Sequence, residues 1–166
     1  MIRRATADDI LLIEDILYEA VVWMNANHIS NLWNEHNTKW KVLSKDYKIE
    51  DFYIAFMDGK PVGCVAITDV DTKYWSDMKK GTSFYIHKLA VKREAGGKGI
   101  SKELIDYVKQ KAYSQNMNTI RLDCNANREK LRAIYENQGF QWVKNISTDQ
   151  GYELSLYVCN RKEGFR

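Results

Sequence analysis

Apolar residues along the chain change their spacing several times, and each change marks an element. Ile10, Ile13, Leu17, Val21 and Met24 recur every three or four residues and predict the buried stripe of a helix. A short strand over residues 2–5 precedes it, and Thr6 followed by Asp9 makes a capping-box-like start. From Trp23 to Trp40 tryptophans and histidines interleave with asparagines, and a second helix is expected within about residues 30–45. Two apolar runs, 52–57 and 60–67, flank Asp58-Gly59 and predict a β-hairpin, with Pro61 near the start of its strand. Residues 69–82 are polar around Trp75 and read as a loop. The β-branched and aromatic run over 83–91 reads as the fourth strand. A glycine-rich turn follows, and then Ile100, Leu104, Ile105, Val108 and Ala112 keep to one helical face. A fifth strand is expected over 119–124. Leu131, Ile134 and Tyr135 share a helix face after it, with Asn127 as the capping residue and Gly139 as the left-handed stop. Residues 141–144 and 152–158 complete the strands, and the charged tail 161–166 is expected to fray. The resulting order is βααβββαβαββ.

Composition narrows this picture. A chain of 166 residues fits a single domain, 1–166, with 45% hydrophobic and 28% charged residues typical of a soluble globular protein. The net charge of +3 suits an anionic ligand but falls short of a nucleic-acid binder's footprint. Cys64, Cys124 and Cys159 are odd in number, widely spaced and within expected strands. They read as buried free thiols in a reducing compartment rather than a disulfide framework or a zinc site. The start carries no apolar signal region and no run reaches membrane-spanning length, so a cytoplasmic location without membrane contact is expected.

The glycine-rich turn carries the first chemical signal. Gly96, Gly97 and Gly99 lie beside Lys98 and open directly into a helix. A helix N-terminus presents unpaired N–H groups and a positive dipole end, a place where phosphate binds. Neither the P-loop string nor the dinucleotide Gly-x-Gly-x-x-Gly occurs here. The segment from Gly96 to Ser101 instead resembles the acyl-coenzyme A pyrophosphate loop of the GNAT N-acetyltransferase superfamily, Arg/Gln-x-x-Gly-x-Gly/Ala. Gly99 takes the central glycine place, while Gly96 stands where Arg or Gln is usual and Ser101 where Gly or Ala is usual. Tyr135-Glu-Asn-Gln-Gly-Phe140 looks like the signature that ends the same superfamily's cofactor-side helix.

The resemblance implies a GNAT fold over nearly the whole chain: an α/β (α+β) architecture with a mixed, mostly antiparallel sheet of about seven strands and about four helices. Its fourth and fifth strands splay apart to admit the pantetheine arm. It implies acetyl-CoA as cofactor, held by Gly96, Gly97, Lys98, Gly99, Ile100 and Ser101 at the pyrophosphate and by the backbone of Leu89, Ala90 and Val91 along the pantetheine. A further pantetheine contact falls to Asn125, Asn127 or Arg128. The 23–40 segment would help wall the acceptor site, with Trp23, His28 and Trp33 as the candidates.

Acetyl transfer to an amine requires removal of a proton from the amine, polarisation of the thioester carbonyl and protonation of the departing sulfur. Tyr135 resembles the superfamily tyrosine that supplies the last proton. His87 is the candidate base; it lies two residues before Leu89, and strand alternation would put both on one face with Tyr85 and Val91. Asp123, acting through water, is the alternative base. No histidine has ligand-like spacing to carboxylates or cysteines, so no metal site is expected. Three functions are open: an N-acetyltransferase acting on a primary amine of a small molecule, a non-catalytic acyl-CoA-binding module, and a protein N-terminal acetyltransferase. Superfamily members are often homodimers, and the resemblance extends to that arrangement.

Overall fold

The computed structural model describes residues 1–165 of the chain. Seven strands, β1 (Ile2–Arg4), β2 (Phe52–Met57), β3 (Lys60–Thr68), β4 (Ser83–Val91), β5 (Thr119–Asn125), β6 (Gln141–Ser147) and β7 (Glu153–Asn160), form one sheet in the order β1-β2-β3-β4-β5-β7-β6. The helices are α1 (Ile10–Ala26), α2 (Trp40–Leu43), α3 (Ile100–Ser114), α4 (Glu129–Asn137) and the short α5 (Arg161–Gly164). Every expected element is present in the expected order. The expected helix within 30–45 is confined to α2. The C-terminal segment departs from the expected frayed tail: α5 is helical and Phe165 is buried, while Arg166 lies outside the described residues.

The chain divides into two compact units, Met1–Ile67 with Lys88–Leu104, and Thr68–His87 with Ile105–Arg166. In the first, Ile13, Ile16 and Leu17 of α1 pack with Phe52, Ile54, Cys64, Ala66 and Ala90 of the strands. Ile16 joins the predicted stripe, whereas Ile10 is only half-buried. The start of α1 is pinned as the capping pattern indicates. The Thr6 N–H and hydroxyl both donate to Asp9 Oδ2, at 2.8 and 3.2 Å, and Arg3 grips the same carboxylate through two nitrogens at 2.7 and 2.8 Å. The hairpin turn is made by Asp58 and Gly59 at φ 50° and 75°, the pair of positive values that a two-residue turn between twisted strands requires. Gly63 on β3 marks a close approach: a Cβ there would lie 3.0 Å from Ala90 O, 3.1 Å from Ile100 Cγ2 and 3.3 Å from Leu104 Cδ1.

In the second unit, β4 and β5 run parallel and pair only from Ser83↔Thr119 to Tyr85↔Arg121. Beyond that point β5 continues against β7 up to Asn125↔Leu154. This is the splay of the fourth and fifth strands that the GNAT fold requires. Helix α4 is fixed by a polar chain: Arg132 Nε donates to the Tyr157 hydroxyl at 2.9 Å, and that hydroxyl donates to Glu136 Oε1 at 2.7 Å. At its far end Gly139 adopts φ 87° as predicted, Phe140 N–H closes on Tyr135 O at 3.1 Å, and the buried Lys109 ammonium donates to Gln138 O. The start of α4 differs from expectation. Its N-cap is Arg128, and Asn125, rather than Asn127, supplies the local side-chain acceptor, taking the Asn127 N–H at 3.0 Å.

Candidate active site

The first unit contains the glycine-rich turn. Gly97 and Gly99 take φ 73° and 81°, a region that costs a residue with a side chain, and α3 opens at Ile100. Glu103 N–H bonds Gly99 O at 3.0 Å, closing the first turn of α3. Gly96, Gly97, Lys98 and Gly99 are exposed. Ile100 contributes only its backbone, because its side chain is buried, and Ser101 is half-buried. The glycine at 96 has a local cause: a Cβ there would sit 3.1 Å from Arg93 O.

Leu89 and Val91 are half-buried and Ala90 is buried. Lys88 just before them adopts φ 52°, an uncommon left-handed value for a residue inside a strand, and Cys64 Sγ donates to its carbonyl at 3.5 Å. Strict alternation therefore breaks between His87 and Leu89, and the shared face expected for them cannot be read from spacing. Trp33 lies with its ring 5.1 Å from Lys88 Nζ, whereas Trp23 lies beneath Arg93 at 4.2 Å, beside the glycine turn. His28 is exposed at φ 54° and ends α1, with Ile29 N–H bonded to Met24 O at 2.8 Å. Its position is that of a helix-terminating residue.

The second unit holds the titratable groups. Tyr135 is buried, with its ring against Phe140 at 5.9 Å and Tyr157 at 6.4 Å. Burial pushes its phenol above the ordinary range, Cys124 and Asp123 push the same way, and Arg128 opposes them. The group therefore stays protonated throughout the physiological range. On the same unit, Asp71, His87 and Asp123 each bring one ligand atom into a cluster whose members all lie within 4.8 Å of one another. Asp71 is 8% exposed, and its Oδ1 accepts the N–H groups of Lys73 and Tyr74, both at 2.9 Å. His87 Nε2 lies 3.2 Å from Thr68 Oγ1. Asn125 and Arg128 are half-buried and Asn127 is exposed at the start of α4.

Linear spacing alone shows no carboxylate near His87, and the fold supplies two. Asp71 was hidden in a polar loop with no periodicity. The available signals were Trp75, a large apolar residue that is buried in that loop against Tyr85 and Leu156, and Asp71 itself, which closes a turn through its own side chain.

Comparison with known proteins decides the family. A model of the Acetyltransferase (GNAT) family matches residues 17–140. The chain belongs to this family. Within the GNAT family, the uncharacterized N-acetyltransferase YesJ of Bacillus subtilis (strain 168) is 28% identical over 89 residues, covering 54% of this chain and 48% of YesJ. The match thus spans about half the length of that relative. A GNAT-family acetyltransferase from Listeria monocytogenes 4b F2365 superposes with a TM-score of 0.73 at 21% identity, over 96% of this chain and 94% of that one. The yncA protein of Salmonella typhimurium, a putative acetyltransferase solved with its cofactor acetyl-CoA, gives a TM-score of 0.69 at 15% identity, over 98% and 94% of the two chains. At these identities the solved structures show a common GNAT fold. Among the described residues, no helix is long and apolar enough to cross a membrane.

Proposed function

We propose that this GNAT protein is an acetyl-CoA-dependent N-acetyltransferase, a single functional domain that transfers acetyl directly to a primary amine of a small molecule. The observation that carries the reading is the glycine-rich turn. It lies inside the family match, takes left-handed backbone at Gly97 and Gly99, and opens straight into α3. The amides of Gly97, Gly99, Ile100 and Ser101 would hold the pyrophosphate, with Lys98 as a point charge beside them. Leu89 and Val91 would offer backbone groups to the pantetheine across Ala90. The bound cofactor supplies an activated acetyl group as a thioester.

In this reading the carboxylates of Asp71 and Asp123 attract the ammonium of the acceptor to His87, and the imidazole takes its proton. The nitrogen–carbon bond then forms as the carbon–sulfur bond breaks. Tyr135 donates its phenolic proton to the leaving sulfur, and the second proton shed by the acetylated nitrogen returns to the phenolate. A phenol held above its ordinary range suits a group that must arrive protonated. Trp23 is assigned to the loop side because it lies under Arg93.

The buried free thiols of Cys64, Cys124 and Cys159 favour a reducing, cytoplasmic setting. We extend the proposal to a homodimer, as the family resemblance implies, with sedimentation velocity as its readout. The activity is tested by following free thiol released from acetyl-CoA over a panel of primary amines. Amine-dependent release that vanishes on omitting the amine supports transfer. Its absence across alkyl, aryl and polyamine acceptors, with cofactor bound, would leave a non-catalytic acyl-CoA-binding module or a protein N-terminal acetyltransferase.

A further inference from the structure

In the second unit, two donors of the sheet face and its covering loop stand together. Trp75, in the loop between β3 and β4, is 5% exposed, and its ring packs with Tyr85 and Leu156. Among the described residues its indole Nε1–H has no hydrogen-bond partner. A buried N–H left unpaired is costly, and folded proteins keep few of them. The half-buried Arg121 guanidinium lies over the same ring, 4.7 Å from its centroid. Its Nε donates to Ser83 Oγ at 3.4 Å, and among the described residues no carboxylate forms an ion pair with it. Burial works against its charge, and Tyr85 and the exposed Asp77 offset that only through space. Stacking uses the flat face of the guanidinium and leaves its edge donors for a partner in its plane.

From this juxtaposition we infer that Arg121 and Trp75 bind a carboxylate of the acceptor, so that the substrate is an amine that also carries a carboxylate. A planar carboxylate takes two parallel N–H bonds from the edge of a guanidinium, and a remaining lone pair takes the indole N–H. One fixed positive charge matches one carboxylate, whereas a phosphate dianion would also meet the acidic side chains close by. The place in the sheet suits an acceptor. Tyr85↔Arg121 is the last pair before β4 and β5 part. Burial alternates along β5 and puts residues 121 and 123 on one face. Tyr85 and Arg121 therefore each precede a member of the Asp71–His87–Asp123 cluster by two residues, about 7 Å of strand. That offset fits an amine carried a few carbons from its carboxylate, as in an ω-amino acid. The inference rests on the acetyltransferase reading for the amine, while the carboxylate follows from the two donors alone.

Two measurements test this. Proton–nitrogen spectra of protein labelled with ¹⁵N in its five tryptophans resolve the indole N–H groups, and Trp75→Phe assigns one signal by loss. With coenzyme A present, γ-aminobutanoate or δ-aminopentanoate should move that signal, and the matching carboxamides should not. In the thiol-release assay, kcat/KM for the amino carboxylates should exceed that for their amides by about a hundredfold. Arg121→Gln should bring this ratio close to one, and Arg121→Lys, which keeps the charge without the planar fork, should retain about a tenth of it. Trp75→Phe keeps the packing ring and should lower the ratio by about tenfold. Each ratio is internal to one protein, so a smaller folded fraction cancels from it. Equal use of carboxylate and amide by the wild type, an unchanged ratio in Arg121→Gln, or a Trp75 signal indifferent to the carboxylates overturns the inference. A signal that moves without any thiol release would contradict the acetyltransferase reading alone. Release that ignores the carboxylate would contradict the role of Arg121 and Trp75 alone.

Discussion

Tyr135 joins two demands at one residue: its ring packs between Phe140 and Tyr157, and its hydroxyl is kept protonated by burial. Tyr135→Phe keeps the ring and removes only the proton. We expect kcat to fall by about a hundredfold while the affinity for acetyl-CoA, measured by calorimetry, stays within about twofold. Equal losses in both would assign Tyr135 to cofactor binding. Asp9 makes a stability prediction at the same scale. Its hydrogen bonds from Arg3 lower its carboxyl well below the usual carboxylate range, despite burial pushing the other way, and Thr6 adds to the lowering. A carboxylate with a depressed folded value contributes stability that is complete above its unfolded value of about 3.9. That contribution is lost as pH falls toward the folded value. Asp9→Asn should therefore cost about 1 kcal/mol at pH 7 and progressively less in acid, read from urea midpoints at the two pH values. Residues tied to a repeated pattern or signature, such as Tyr135 and Gly139, were legible in the sequence. Asp71 was not, because its importance comes from what the chain brings to it from β4 and β5.

At the level of elements, local chemistry carried most of the information. Asp58-Gly59 specified the hairpin, and the stripe from Ile100 to Ala112 specified α3, because both signals lie within a few residues of the structure they cause. The order β5-β7-β6 was not legible, since strand neighbours are chosen by contacts far apart in the chain. The break at Lys88 was equally hidden: a lysine at φ 52° has no compositional mark. Gly63 tests the packing of β3 in the first unit. Gly63→Ala places a methyl 3.0 Å from Ala90 O and 3.1 Å from Ile100 Cγ2, and it should destabilise by about 1–3 kcal/mol in denaturant unfolding. A change under about 0.5 kcal/mol would mean that these contacts yield easily. Gly99→Ala meets no neighbour within 4 Å, so its cost of about 1–2 kcal/mol comes from the positive φ alone.

For the whole molecule, the cysteines report on the integrity of the core. Burial pushes the thiols of Cys64 and Cys124 up to about 12, and Cys159 is fully covered in β7. None should react with a thiol reagent under native conditions, and three should react on unfolding in denaturant. A native thiol that titrates rapidly would contradict the burial of its strand. The same burial makes a thiol-release assay usable, because the protein adds no signal of its own. The central claim is that the glycine-rich turn serves acyl-coenzyme A, and ligand-dependent thermal stability addresses it most directly. Acetyl-CoA and coenzyme A should each raise the melting temperature in step with concentration, with ATP as the control giving no shift. Gly99→Ala should lose most of that shift beyond its own lower starting temperature. No shift with saturating acetyl-CoA, or an equal shift with ATP, would contradict the assignment of this turn and with it the acetyltransferase reading.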